Sequence, residues 1–182
     1  MRALIVIDYT VDFVTGKLPC GEPAIVIEER ITEITEQALD RGDYVIMAVD
    51  VHDENDSYHP ESKLFPPHNI RGTAGRELYG KLNELYETRK KDVYWMDKTR
   101  YSAFCGTDLE QQLRARGIQA VELAGVCTDI CVLHTAVDAY NKGFAIQVHE
   151  DAVASFNQDG HRWALGHFPN VLGATLSKKE AE

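Results

Sequence analysis

The sequence predicts an α/β fold of three layers, with helices on both faces of a mostly parallel six-stranded sheet, on three observations. Short runs of branched apolar residues recur without polar alternation, the pattern of strands buried on both faces. Stretches with apolar residues three and four apart separate those runs, as crossover helices do. Asp8, Asp50, Lys98 and Gly125 fall at or just past the ends of four of the runs, so reactive groups collect at the carboxyl edge of the sheet, where ligands bind in such folds.

The elements follow in chain order. Ala3 to Ile7 is a buried strand ended by Asp8. Ala24, Ile27, Ile31, Ile34 and Ala38 form one face of a helix that stops near Arg41-Gly42. Tyr44 to Val49 is the second strand, ended by Asp50. Val51 to Thr73 lacks periodicity and carries Pro60, Pro66, Pro67 and Gly72, which predicts a long ordered loop with a function of its own. Gly75 to Tyr86 reads as a helix with Leu78, Leu82 and Leu85 on one face, and Val93 to Met96 as a short strand. Thr107 caps a helix that ends near Gly117, and Ala120 to Ala124 is the fourth strand. Ile130 to Tyr140 is a helix packed through Ala136, Val137 and Tyr140. Ala145 to Val148 is the fifth strand, His161 to Phe168 a helix, Val171 to Leu176 the sixth strand, and the last six residues a polar tail.

The chain has 182 residues, 44% of them apolar and 26% charged, so a single domain over residues 1–182 with a sizeable core is expected. A net charge of −10 disfavours nucleic acid and anionic membrane surfaces as partners. No apolar run approaches a membrane span, and the N-terminal run stops at Asp8, too early for a secretory signal. Four cysteines, unevenly placed, suggest reduced thiols in cytoplasm rather than a disulfide framework.

Three separated stretches concentrate chemistry. Gly125-Val126-Cys127-Thr128-Asp129-Ile130-Cys131 is a strand-to-helix junction, where the positive end of a helix favours a thiolate and unpaired N–H groups can receive an oxyanion. Either cysteine could be the nucleophile on this ground. Asp8 can take a thiol proton, and Lys98 can hold that acid ionised. Asp50, His52, Glu61 and His68, with His59 between, supply oxygen and nitrogen ligands suited to one divalent ion, Zn²⁺ first, or Mn²⁺ or Fe²⁺. Tyr9, Phe13 and Phe65 flank these clusters and can wall an aromatic pocket.

Taken together, Asp8-Tyr9-Thr10-Val11-Asp12-Phe13, Asp97-Lys98-Thr99-Arg100-Tyr101-Ser102-Ala103-Phe104 and Gly125 to Val132 resemble the acid, lysine and nucleophile segments of the isochorismatase-like cysteine hydrolases, specifically the nicotinamidase/pyrazinamidase group. The resemblance covers essentially the whole chain and implies a Rossmann-like fold. It implies Cys131 as nucleophile, the N–H groups of Cys127 and Cys131 as oxyanion hole, and a cis peptide between Val126 and Cys127. It also implies Asp50, His52, Glu61 and His68 as metal ligands on the loop at about 50–73, a substrate pocket with Phe13, Phe65 and Tyr101, and a homo-oligomer. The implied reaction is metal-dependent hydrolysis of nicotinamide, and of pyrazinamide, to the acid and ammonia through a cysteine thioester. Hydrolysis of another small carboxamide or of an isochorismate-like ether, or a metal-stabilised inactive scaffold, are the alternatives.

Overall fold

The computed structural model describes residues 1–179. Its sheet contains β1 (Ala3–Ile7), β2 (Tyr44–Asp50), β3 (Val93–Lys98), β4 (Ala120–Val126), β5 (Ala145–Ala154) and β6 (Thr175–Ser177) in the order β3-β2-β1-β4-β5-β6. Every strand pair is parallel, so the sheet is wholly parallel. Helices α1 (Val11–Val14), α2 (Glu22–Ile25), α3 (Glu28–Asp40) and α4 (Gly80–Arg89) pack on one face. Helices α5 (Leu109–Ala115), α6 (Leu133–Asn141) and α7 (Gln158–Leu172) cover the other.

Strand β1 explains the three layers from its side chains. Successive residues point to opposite faces: Ala3, Ile5 and Ile7 join the core under α5 to α7, and Leu4 and Val6 the core under α1 to α4. The chain runs from β1 outward through β2 and β3, then returns to place β4 on the other side of β1. That reversal opens a crevice at the carboxyl ends of β1 and β4, the position where open α/β sheets bind ligands. Asp8 leaves β1 there, and the segment from Cys127 to Cys131 leaves β4 beside it.

Gly125 makes the close approach possible. It pairs with Ile7, adopts φ 111°, and a Cβ at this position would lie 2.0 Å from the Ile7 carbonyl oxygen. Gly125→Ala is therefore expected to lower unfolding stability by about 3 kcal/mol, through backbone strain and a clash between backbones that cannot move apart. A urea midpoint within error of the parent's would contradict this.

Five sequence expectations are corrected. The Ala24 to Ala38 periodicity spans two helices, because α2 and α3 bury the same face across a break at Val26 and Ile27. Gly75 to Tyr79 is not α-helical: the Glu77 carbonyl accepts from Val11 N–H and Tyr79 N–H donates to Tyr9, holding Leu78 extended until α4 begins at Gly80. Asp108, not Thr107, takes the cap position of α5, while the Thr107 hydroxyl bonds the Ala103 carbonyl and accepts from Leu109 N–H. Tyr140 is 53% exposed, and Thr135, Ala136 and Ala139 fill the buried side of α6. Val171 is helical, since α7 continues to Leu172 and stops at left-handed Gly173, leaving a shorter β6 that includes Ser177. The rest of the expected tail, residues 180–182, lies outside the described residues. Among the described residues no helix is long and apolar enough to cross a membrane.

Candidate active site and metal cluster

The carboxyl ends of three strands bring Asp8, Lys98 and Cys131 together. Asp8 follows β1 with φ 54°, an uncommon conformation for a residue with a Cβ. Its N–H donates to the Ala48 carbonyl, and its Oδ1 accepts from Asp50 N–H at 2.7 Å, which locks the carboxylate in place. Lys98 pairs with Asp50 in the β2–β3 register, so the two side chains share one edge. The Lys98 ammonium lies 2.7 Å from Asp8 Oδ2, 3.3 Å from Asp50 Oδ1, 3.2 Å from the Arg100 carbonyl and 3.5 Å from Cys131 Sγ. One cation thus touches both acids and the thiol, with no exposure of the Lys98 or Asp8 side chain.

Burial decides the protonation states. It raises the Asp8 carboxyl above the usual carboxylate range, against the Lys98 charge and with help from Asp50. It also pushes the Cys131 thiol well up; Lys98 opposes this, but Asp8 and Asp50 add to it. For Lys98 burial favours the neutral amine, yet the two carboxylates outweigh it and keep the ammonium. The sequence expectation of a helix-stabilised thiolate is therefore corrected. Cys131 sits in a five-residue π-turn, Thr128–Val132, ahead of α6, and rests as a thiol beside an acid raised in the same direction.

The Val126–Cys127 peptide is cis. The Cys127 carbonyl accepts from both Ile130 and Val132 N–H groups, which ties down the turn carrying Cys131. Cys127 Sγ points elsewhere, 3.4 Å from Cys20 Sγ in the core under α1 to α4. The two cysteines are both buried but have separate surroundings: Cys131 meets the charged cluster, Cys127 another thiol.

Asp50, His52, Glu61 and His68 converge so that one ligand atom from each lies within 4.8 Å of the others. His52 Nε2 is 2.8 Å from Asp50 Oδ2, and His68 Nε2 is 3.6 Å from both Asp50 Oδ2 and Glu61 Oε2. His68 Nδ1 donates to the Pro66 carbonyl at 2.8 Å, so in the neutral ring the lone pair lies on Nε2. That Nε2 is buried with no hydrogen-bond partner, the state of a ligand atom aimed at a cation. Burial raises Asp50, but the Lys98 charge and the His52 hydrogen bond overcome it and hold the carboxyl far below its usual range. Two nitrogen and two carboxylate donors at this spacing fit a divalent metal.

His59 stands outside the cluster. Its Nδ1 accepts from Glu61 N–H and its Nε2 faces the Thr99 carbonyl at 2.9 Å, so both ring nitrogens are engaged. The ring packs 4.2 Å from His52 and caps the short turn bearing Glu61, a positioning contact.

A narrow pocket opens beside Cys131, with Phe13, Phe65 and Tyr101 in its wall together with Leu18, Glu61, Cys127, Ile130 and Phe156. Tyr9 does not line it; its hydroxyl donates to the Ala24 carbonyl at 2.7 Å inside the core. Sequence reasoning missed Leu18, Phe156 and the loop anchors. Asp12 Oδ2 accepts from Asn69 N–H and Thr10 donates to the Asn69 side chain, holding the residue after His68. Arg76 likewise donates to the Asp50 carbonyl at 2.8 Å. Asp12 lies in the segment from Asp8 to Phe13, but nothing local in the sequence links it to Asn69.

The chain matches the Isochorismatase domain over residues 2–180. It is 64% identical over 181 residues to the isochorismatase family protein PncA of Bacillus subtilis, covering 97% of this chain and 99% of that one. A crystal structure of nicotinamidase/pyrazinamidase PncA from Bacillus subtilis superposes with a TM-score of 0.95 at 61% identity, over 97% of this chain and 100% of that chain. A pyrazinamidase of Pyrococcus horikoshii in complex with zinc matches with a TM-score of 0.85 at 30% identity, over 98% and 99% of the two chains. With its acid, lysine and cysteine gathered at the β1–β4 crevice, the chain belongs to the isochorismatase family.

Proposed function

We propose that this protein is a nicotinamidase, hydrolysing nicotinamide to nicotinate and ammonia and accepting pyrazinamide as well. The observation that carries the reading is the single buried ammonium of Lys98 in reach of Asp8, Asp50 and Cys131, directly beside the Asp50, His52, Glu61 and His68 cluster. A nucleophile alone would suit many acyl transfers. The adjoining nitrogen and oxygen cluster, next to an aromatic pocket, favours a ring that carries both a carboxamide and a ligating nitrogen. The zinc in the Pyrococcus horikoshii relative supports Zn²⁺ as the ion for this cluster.

A divalent ion held by these four residues would supply a Lewis-acid anchor for a heteroaromatic nitrogen. Phe13, Phe65 and Tyr101 pack the ring, which sets the amide carbon against Cys131 before any bond changes. Asp8 removes the Cys131 proton as the sulfur attacks the carbonyl carbon, since both groups are buried and the proton need not reach solvent. Lys98 stays an ammonium and balances the negative charge that moves between Asp8 and Cys131. The N–H groups of Cys127 and Cys131 receive the carbonyl oxygen as it becomes an oxyanion. Asp8 returns the proton to the leaving nitrogen, ammonia departs and an acyl thioester remains on Cys131. Water, deprotonated by Asp8, then cleaves the thioester to release the acid and the thiol.

The direct test is ammonia release from nicotinamide by the purified, metal-loaded protein. Chelation is expected to weaken nicotinate binding about tenfold or more, in line with the usual cost of disturbing a metal site, while the far-ultraviolet dichroism is retained. Unchanged nicotinate affinity in the stripped protein, measured by calorimetry, would contradict the role of the cluster in holding the ring.

A further inference from the structure

We infer that Phe156 is the yielding wall of the substrate pocket and sets which ring substituents the enzyme accepts. The inference rests on the nicotinamidase reading and extends it to a residue outside the three motif segments. The void beside Cys131 measures about 10 Å³, room for one water, so a pyridine ring enters only when a wall moves. Of the walls, Phe13, Glu61, Cys127 and Cys131 are buried, whereas Phe156 is 42% exposed, the largest exposure among the lining aromatics.

Topology places Phe156 across the pocket from the metal cluster. Asp50 and His52 leave the end of β2, while Phe156 follows the end of β5 at Ala154. The β1–β4 pair, with Asp8 and Cys131 at its carboxyl ends, lies between them. Glu61 belongs to the cluster on the β2 side of Cys131 and Phe156 follows β5 on the other side, so a ring with one edge toward Glu61 presents its opposite edge to Phe156.

The backbone that carries Phe156 is held to the nucleophile turn. Ser155 Oγ donates to Asp129 Oδ1 at 2.6 Å, and Asn157 N–H donates back to Ser155 Oγ at 3.2 Å. Thr128 Oγ1 and His161 Nδ1, 2.8 Å apart, tie the first turn of α7 to the same segment. The main chain at residue 156 is thus referenced to Cys131, and rotation of the exposed phenyl ring is the small motion that opens the mouth. The phenyl closes behind a bare ring and collides with a substituent on the edge remote from the cluster.

Two measurements test this on the metal-loaded protein. The first is alkylation of Cys131 by iodoacetamide, followed by peptide mass spectrometry and independent of turnover. Phe156→Ala is expected to speed it about fivefold or more and Phe156→Trp to slow it, as removing or enlarging a steric barrier does. A smaller change on truncation overturns the assignment. The second compares kcat/KM for 5-phenylpyridine-3-carboxamide and 6-phenylpyridine-3-carboxamide, each relative to nicotinamide. Phe156→Ala should raise the 5-phenyl ratio by about fivefold or more and leave the 6-phenyl ratio, on the edge facing the cluster, below that threshold. Equal gains for both isomers, or none, sink the proposal. Phe156→Leu should fall between parent and alanine variant in each measurement, and an unchanged melting temperature shows that the fold survives. If the parent releases no ammonia from nicotinamide, the functional reading fails on its own, and the alkylation rates still decide the role of Phe156.

Discussion

Replacing Cys131 with alanine is expected to lower kcat/KM for nicotinamide by at least about 10⁴-fold, the scale seen when a covalent nucleophile is deleted. The fold should be retained, because alanine leaves the buried turn intact and removes one sulfur from a site that already contains a pocket. Acid-quenched parent enzyme should carry an acyl group on Cys131 and the variant none. Cys127→Ala is the contrasting control. Its sulfur touches Cys20 rather than Lys98 or Asp8, and its proposed contribution to the reaction is a backbone N–H that alanine keeps, so kcat/KM should stay within about tenfold of the parent. If the two variants exchanged phenotypes, the assignment of the nucleophile would be wrong.

The second large effect is expected at Lys98. Lys98→Met keeps most of the side-chain volume and removes the cation that Asp8 and Asp50 share. The buried Asp8 carboxylate then faces Asp50 without a cation, which should cost about 3 to 5 kcal/mol of stability at neutral pH. Activity should fall by about 10³-fold or more, because the charge that steadies both the thiol and its base is gone. The sign of the pH dependence follows from Asp8, whose folded-state carboxyl is already raised by burial. Lys98 lowers that value, so its loss raises the carboxyl further, and the variant's deficit should shrink as pH falls through the variant's higher value and the carboxyl protonates. A deficit that instead grew over that window, in urea titrations of parent and variant, would show that the ammonium does not compensate Asp8.

Much of the scaffold was legible because its signals are local. The β1 run Ala3 to Ile7 is continuous and branched, and its strand is buried at every position. Tyr44 to Val49 and Ala120 to Ala124 read as strands for the same reason. Elements failed where a distant contact overruled the local pattern. Leu78 fits a helical stripe, but backbone bonds to Tyr9 and Val11 hold its neighbours extended. The end of α7 was equally hidden, since Val171 suits either a strand or an exposed helix turn and left-handed Gly173 marks the stop.

The residue types of the candidate site were readable for a different reason. Each motif concentrates groups whose chemistry is set by covalent structure: a carboxylate accepts a proton, a thiol attacks, and imidazole nitrogens with carboxylates suit a divalent cation. Spacing along the chain, however, does not encode distance through space. Leu18 and Phe156 carried no signal, because one lies in a loop after α1 and the other at the bend after β5, and only the folded sheet brings both to Cys131.

By itself, then, the sequence determined the α/β class, the positions of most strands, and the acid, lysine, cysteine and metal-ligand candidates, because these depend on residue chemistry and short-range periodicity. Only the tertiary structure decided that Cys131 rests as a thiol, that His59 holds Glu61 instead of joining the cluster, and that Phe156 lines the pocket. Those outcomes depend on burial and on separations of a few ångströms between residues tens of positions apart, quantities that come into being when the β1–β4 crevice forms.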